Sequence, residues 1–100
     1  MNIKKTVSED KKTITLEILS DLTLEVHEEF RQAYINEPTD TLFIIDFTHT
    51  EMVDSSGLSL LLLLIDFSTA PKQSIILTGC NERVMSILKI ASFKKLFTIR

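Results

Sequence analysis

Asp54, Ser55, Ser56 and Gly57 are the residues of this chain whose types and order could do chemistry. Asp54 or Ser55 can accept hydrogen bonds from the free backbone N–H groups of a helix that starts there. Gly57 removes a side chain where the backbone turns in or where a partner has to approach. Ser56 then falls in the first helical turn, its hydroxyl able to carry a phosphoryl group. A phosphate there adds about −1.5 to −2 charges. The positive end of the helix favours such an anion by ~0.3–1 kcal/mol, so modification is expected to leave the fold intact. On local physics alone, Asp54-Ser55-Ser56 reads first as a helix cap.

The helix opened by this cap is expected over residues 56–67. At 100° per residue, Leu58, Leu61, Leu62 and Ile65 form one face, expected to plug into a sheet. Leu60, Leu63, Leu64 and Phe67 form a second apolar face, and only Ser59 and Asp66 make a polar strip. A helix that is apolar all round is either enclosed or part of an interface. A chain of 100 residues has few elements with which to enclose it. The second face is therefore expected to meet a protein partner. A phosphate on Ser56 would stand beside that face and beside Asp54, and a partner would have to desolvate it to bind.

Other chemistry finds little support. His27 and His49 could be imagined in a triad with Ser55 or Ser56, but the Gly-x-Ser-x-Gly elbow is absent and no spacing aims a histidine at a serine. Two scattered histidines and one cysteine, Cys80, offer no metal cluster. No Gly-rich phosphate loop occurs, so no cofactor is expected, and the chain reads as a non-enzyme. Cys80, in an apolar run, reads as a buried structural thiol. A net charge of −3 and a pI near 5.3 give no field for nucleic acid. Lys94, Lys95 and Arg100 read as a solvated end. The longest apolar stretch, residues 60–65, is far short of the ~20 residues a span needs. No apolar signal core follows the N-terminus. A cytoplasmic location without direct membrane insertion is expected.

These residues need a frame. At 100 residues, 44% hydrophobic and 25% charged, the chain fits one domain over 1–100. Residues 3–7 and 13–19 read as an N-terminal hairpin, the second strand alternating apolar Ile14, Leu16 and Ile18 with polar positions. A helix is expected over 24–36, capped by Thr23, with Leu22, Val26, Phe30 and Ala33/Tyr34 inward, and stopped by Pro38. Residues 42–47 are nearly continuous apolar sequence, expected as a central strand covered on both faces. After the cap helix come a strand over 74–78, a helix capped by Asn81 with Val84, Ile87/Leu88 and Ala91 on one face, and a last strand within 96–99. The alternation predicts an α/β fold: a mixed four- to five-stranded sheet with helices packed against it.

Val53-Asp54-Ser55-Ser56-Gly57-Leu58, after a strand ending at Asp46-Phe47, resembles the signature of the STAS family, and in particular its anti-sigma factor antagonists. Ser20-Asp21-Leu22-Thr23 stands where that family often has Gly-x-Leu-Asp, and residues 81–99 resemble its late helix and closing strand. The resemblance implies a STAS domain in which Ser56, the second serine of the motif, is phosphorylated by a partner, an anti-sigma factor acting as serine kinase. A PP2C-type phosphatase would reverse the modification. The unphosphorylated form would bind the partner and free what it holds. Ser55, Asp54, Gly57 and Asp46 would neighbour the switch, and a homodimer stays open. The family's Gly and Asp are Ser20 and Thr23 here, and the Gly of its late helix is replaced around Ala91-Ser92. The sequence ends at Arg100, where many members add a helix, so a surface built from that helix is expected to be missing. The alternative reading is a STAS subunit of an ABC-type lipid-transport complex, docked permanently on the ATPase subunit.

Overall fold

The computed structural model describes residues 1–71 and 74–100. Its strands are β1 (Ile3–Val7), β2 (Thr13–Ile18), β3 (Leu42–Asp46), β4 (Ile76–Thr78) and β5 (Thr98–Ile99). Its helices are α1 (His27–Gln32), α2 (Ser55–Phe67) and α3 (Glu82–Ile90). Two 3-10 turns, Leu24–Val26 and Phe93–Lys95, precede α1 and follow α3.

β1 and β2 form the expected antiparallel hairpin, and β2, β3, β4 and β5 run parallel in that order. A parallel order that never reverses, joined by right-handed crossovers, places every helix on the same face. Burial follows that rule. Ile14, Leu16, Ile18, Phe43, Ile45 and Leu77 share one face in register and are sealed. Thr15, Glu17, Ile44, Asp46, Ile76 and Thr78 lie on the other and are half-exposed. The expectation that residues 42–47 are covered on both faces is therefore corrected: their apolar run reflects a central position in the sheet, with Ile44 partly open to solvent.

The first helix is shorter than its periodicity suggested. This helical segment begins with the Leu24–Val26 turn, capped by Thr23 Oγ1 accepting from the Glu25 N–H at 3.3 Å. It is regular α-helix only over His27–Gln32. Leu22 does not join the helical stripe. It sits in a parallel bridge with Val53 and is fully buried. Tyr34 beyond α1 packs on Phe67 of α2 with ring centroids 5.0 Å apart.

The hairpin is tied to α1 by Glu29, whose carboxylate accepts the backbone N–H groups of Asn2 and Ile3, each at 2.9 Å. Burial opposes its charge most, but these bonds together with one from the Asn2 side chain outweigh it and hold the carboxyl below its ordinary value. A carboxylate with a lowered folded-state pKa contributes stability above its unfolded pKa and loses it as pH falls through the folded one. The expected result is a falling amide protection factor at Ile3, relative to the intrinsic exchange rate, as pH drops into the carboxylate range, a dependence that Glu29→Gln removes.

α3 ends where the sequence departs from the family pattern. Ala91 is its C-cap, and Ser92 adopts the left-handed conformation, φ 59° and ψ 32°. That position after a helix favours glycine, because a Cβ costs about 1–2 kcal/mol there. Ser92→Gly is expected to raise stability by about 0.5–1 kcal/mol after glycine's own entropic cost, read as an upward shift in thermal denaturation.

Candidate functional site

The site is built on a seam between two loops. After β3 the chain crosses residues 47–54 and pairs in parallel, through a Leu22–Val53 bridge, with the loop that follows β2. The Leu22 N–H donates to Met52 C=O at 3.1 Å, and the Asp54 N–H donates to Leu22 C=O at 3.4 Å. Asp21 Oδ1 accepts the Met52 N–H at 3.0 Å. Thr50, buried, donates its hydroxyl to Ile18 C=O at 2.9 Å. From the other side Asn81 Nδ2 donates to the carbonyls of Thr50 and Glu51, at 3.3 and 3.1 Å. Its Oδ1 meanwhile caps α3 by accepting from the Val84 N–H at 2.8 Å. The loop is thus pinned from β2, from Leu22 and from α3 before it delivers Asp54.

Asp54 is the N-cap of α2, its Oδ1 accepting the Gly57 N–H at 2.8 Å. Ser55 is exposed, Ser56 is half-exposed, and Gly57 is buried. A Cβ on Gly57 would lie 2.1 Å from the Leu22 carbonyl oxygen and 2.8 Å from Val53 Cγ1. Gly57 is thus required by the approach of the Leu22 backbone. Ser56 accordingly occupies the second helical position, beside the positive pole and next to the Asp54 carboxylate. Among the described residues its hydroxyl takes part in no hydrogen bond. An open groove of about 660 Å³ borders the cap, with Asp21, Glu25 and Asp54 as its carboxylates and Leu24 on its wall.

Asp46 makes its side-chain hydrogen bonds to Thr48. Its Oδ1 accepts the N–H and the hydroxyl of Thr48 at 2.9 and 2.6 Å, and Gly79, at φ 74°, packs against both residues. It fixes the exit from β3 at the far end of the loop.

A family model for the STAS domain matches residues 4–100. This chain is a STAS domain. It is 33% identical over 100 residues to a STAS-domain containing protein of Pseudomonas aeruginosa (strain UCBPP-PA14), an alignment covering 99% of each chain. Its fold is that of solved anti-sigma factor antagonists. One is the antagonist SpoIIAA in its unphosphorylated form, at 17% identity and TM-score 0.71, covering 98% of this chain and 86% of that one. Another is a candidate antagonist from Thermotoga maritima, at 15% identity and TM-score 0.78, covering 97% and 84%.

The STAS helix α2 does not divide into the two faces expected of it. Gly57, Leu60, Leu61 and Leu64 are buried, and Leu58, Ile65 and Phe67 pack at the edges of the core. Of the four residues expected to face a partner, Leu60 and Leu64 are therefore withdrawn from that surface, and Phe67 is half-buried against Tyr34. The reason is breadth. The buried residues Gly57, Leu60, Leu61 and Leu64, flanked by half-buried Leu58, Ile65 and Phe67, form a stripe centred between the two faces. What stays exposed is Leu63, at 50%, and Leu62, at 43%, which was expected against the sheet. Ser56, Ser59 and Leu63 follow one another at i, i+3 and i+7 and so share one stripe of the helix.

His49 is exposed in the pinned loop, and His27 lies 3.9 Å from Glu28 on α1. Among the described residues no hydrogen bond joins either to Ser55 or Ser56. The Cys80 thiol is half-buried, and burial, then the Asp46 charge, push its pKa up to about 11. It stays a protonated thiol at neutral pH. No helix among the described residues is long and apolar enough to cross a membrane. Local pattern does not reveal the roles of Asp21 and Thr50. It marks Asn81 as a cap, but nothing in one sequence says that its amide also reaches a loop thirty residues away.

Proposed function

We propose that this STAS domain is a phosphorylation-controlled protein-binding switch of the anti-sigma factor antagonist type, non-enzymatic and cytoplasmic. In this reading Ser56 is the acceptor, and the unphosphorylated form binds the partner. The observation that carries it is the setting of Ser56: half-exposed, in the first turn of α2, with a hydroxyl unengaged among the described residues and a cap held rigid by the Asp54–Gly57 bond. A kinase can reach such a hydroxyl without unfolding the domain. The partner surface in this reading is redrawn to Ser55, Ser59, Leu62 and Leu63, bordered by the groove beside Asp54. Burying the two half-exposed leucines stabilises a complex by roughly 1 kcal/mol each. The partner is an anti-sigma factor with serine kinase activity, and a PP2C-type phosphatase resets the switch. Intact-mass and peptide mass spectrometry of the protein isolated from cells tests this reading. Phosphate on Ser56 supports it. Its absence across growth phases would reject the switch in favour of permanent docking on a transporter ATPase subunit.

A further inference from the structure

All fourteen carboxylates of the side chains precede residue 83, and the charged residues beyond Glu82 are the cations Arg83, Lys89, Lys94, Lys95 and Arg100. Three of these lysines gather at one end of α3. Lys89 lies in its last turn, and Ile90 closes the helix. The left-handed Ser92 then turns the chain into the 3-10 turn that carries Lys94 and Lys95 and packs back on α3. Phe93 of that turn is buried and stacks on Phe97 at 5.3 Å, which anchors the turn while both lysines remain exposed. Between them stands Ile90, 84% exposed. A cation in the last turn answers the helix dipole, which accounts for Lys89. It does not account for an isoleucine left exposed in the same short stretch as three exposed lysines, on a chain of net charge −3.

We propose that this tip, Lys89, Ile90, Lys94 and Lys95, is a docking patch for an anionic lipid surface. A single aliphatic knob on a convex helix end needs no preformed pocket when it enters the headgroup region, and the surrounding lysines meet the negative surface potential. The charge distribution sets the orientation. α3 begins at Asn81, which is bonded to the loop leading to Asp54, and its nine residues carry the tip about 13 Å away from that loop. The carboxylates Asp21, Glu25, Glu51 and Asp54 cluster at the other end. An anionic surface attracts the tip and repels that end, so the Ser56 region faces outward and stays open to proteins. Contact of this kind is weak, reversible and screened by salt. The inference does not depend on Ser56 being phosphorylated.

Vesicle flotation of the full chain tests it, with phosphatidylcholine alone and with phosphatidylserine added, at low and high salt. Binding is expected only with phosphatidylserine and is expected to fall as salt rises. Ile90→Ser should weaken it by about tenfold, and Lys94→Gln and Lys95→Gln by about fivefold each. Leu19→Ser, which removes an exposed apolar side chain just after β2, should leave it unchanged. Thermal denaturation confirms that each variant is folded. Equal binding to both vesicle types, or binding indifferent to Ile90, overturns the proposal. No binding to phosphatidylserine vesicles at low salt also overturns it and assigns the patch to an acidic protein surface instead.

Discussion

Ser56→Ala is expected to retain its protein partner in every growth condition, while Ser56→Asp releases it, the two affinities differing by about 10–100-fold. The sign rests on what a partner must cover. A carboxylate at position 56 stands next to Asp54, so closing the interface would desolvate two like charges together, at a cost of several kcal/mol if burial were complete. Half-exposure of Ser56 leaves part of that charge in water, which brings the expected penalty to about 1.5–3 kcal/mol. Phosphate carries more charge than aspartate, so the modified protein should bind more weakly still. The same substitution acts oppositely on folding, because an acid in the first turn of α2 gains about 0.3–1 kcal/mol from the helix dipole. Calorimetric titration of each variant with the partner retained by Ser56→Ala, alongside thermal melts, separates the two effects. A Ser56→Asp domain that melts no lower than the original yet loses its partner is the signature of a charge gate. Equal binding by both variants would sink it.

Much of this arrangement is legible in the residue order, and the failures share a cause. The hairpin, the order of strands and helices, the Asp54 cap and the Asn81 cap all follow from local patterns that act within four or five residues. The expectations that failed concern what lies across space. Whether residues 42–47 are covered on one face or two depends on the handedness and order of crossovers, which no local pattern carries. Leu22 has a helical spacing from Val26, but its backbone is taken by Met52 and Val53, thirty residues on. In α2 the sequence is so uniformly leucine that a wheel cannot tell which face is inside. The division into Leu60/Leu64 inside and Leu62/Leu63 outside is decided by the sheet and Tyr34, which the helix itself does not encode. The exposure of Ile90 is hidden from local pattern for the same reason: it follows from where α3 stops, at the left-handed Ser92.

Gly57→Ala is expected to destabilise the domain by about 2–4 kcal/mol, even though alanine is the better helix former. In an exposed helix the exchange would gain roughly 1 kcal/mol. Here the new Cβ would lie 2.1 Å from the Leu22 carbonyl oxygen, far inside contact distance. That oxygen cannot swing aside, because it accepts the Asp54 N–H while the Leu22 N–H is bonded to Met52. Either α2 retreats by about an ångström or the seam opens, and both routes lose packing around Leu22 and Val53, which are sealed in the core. For a domain of this size the melting temperature should drop by about 10–25 °C. Two companion variants locate the cause. Ser55→Ala, at an exposed neighbouring position, should shift it little. Val53→Ala added to Gly57→Ala removes the side chain 2.8 Å from the new Cβ and should still not rescue the fold, since the backbone oxygen remains. A melting temperature for Gly57→Ala equal to or above that of the original would refute the close-approach argument. It would return Gly57 to the role of leaving room for a partner. If the domain stays folded at low temperature, its partner affinity should fall as well, because the first turn that presents Ser56 is seated on the same Leu22 seam.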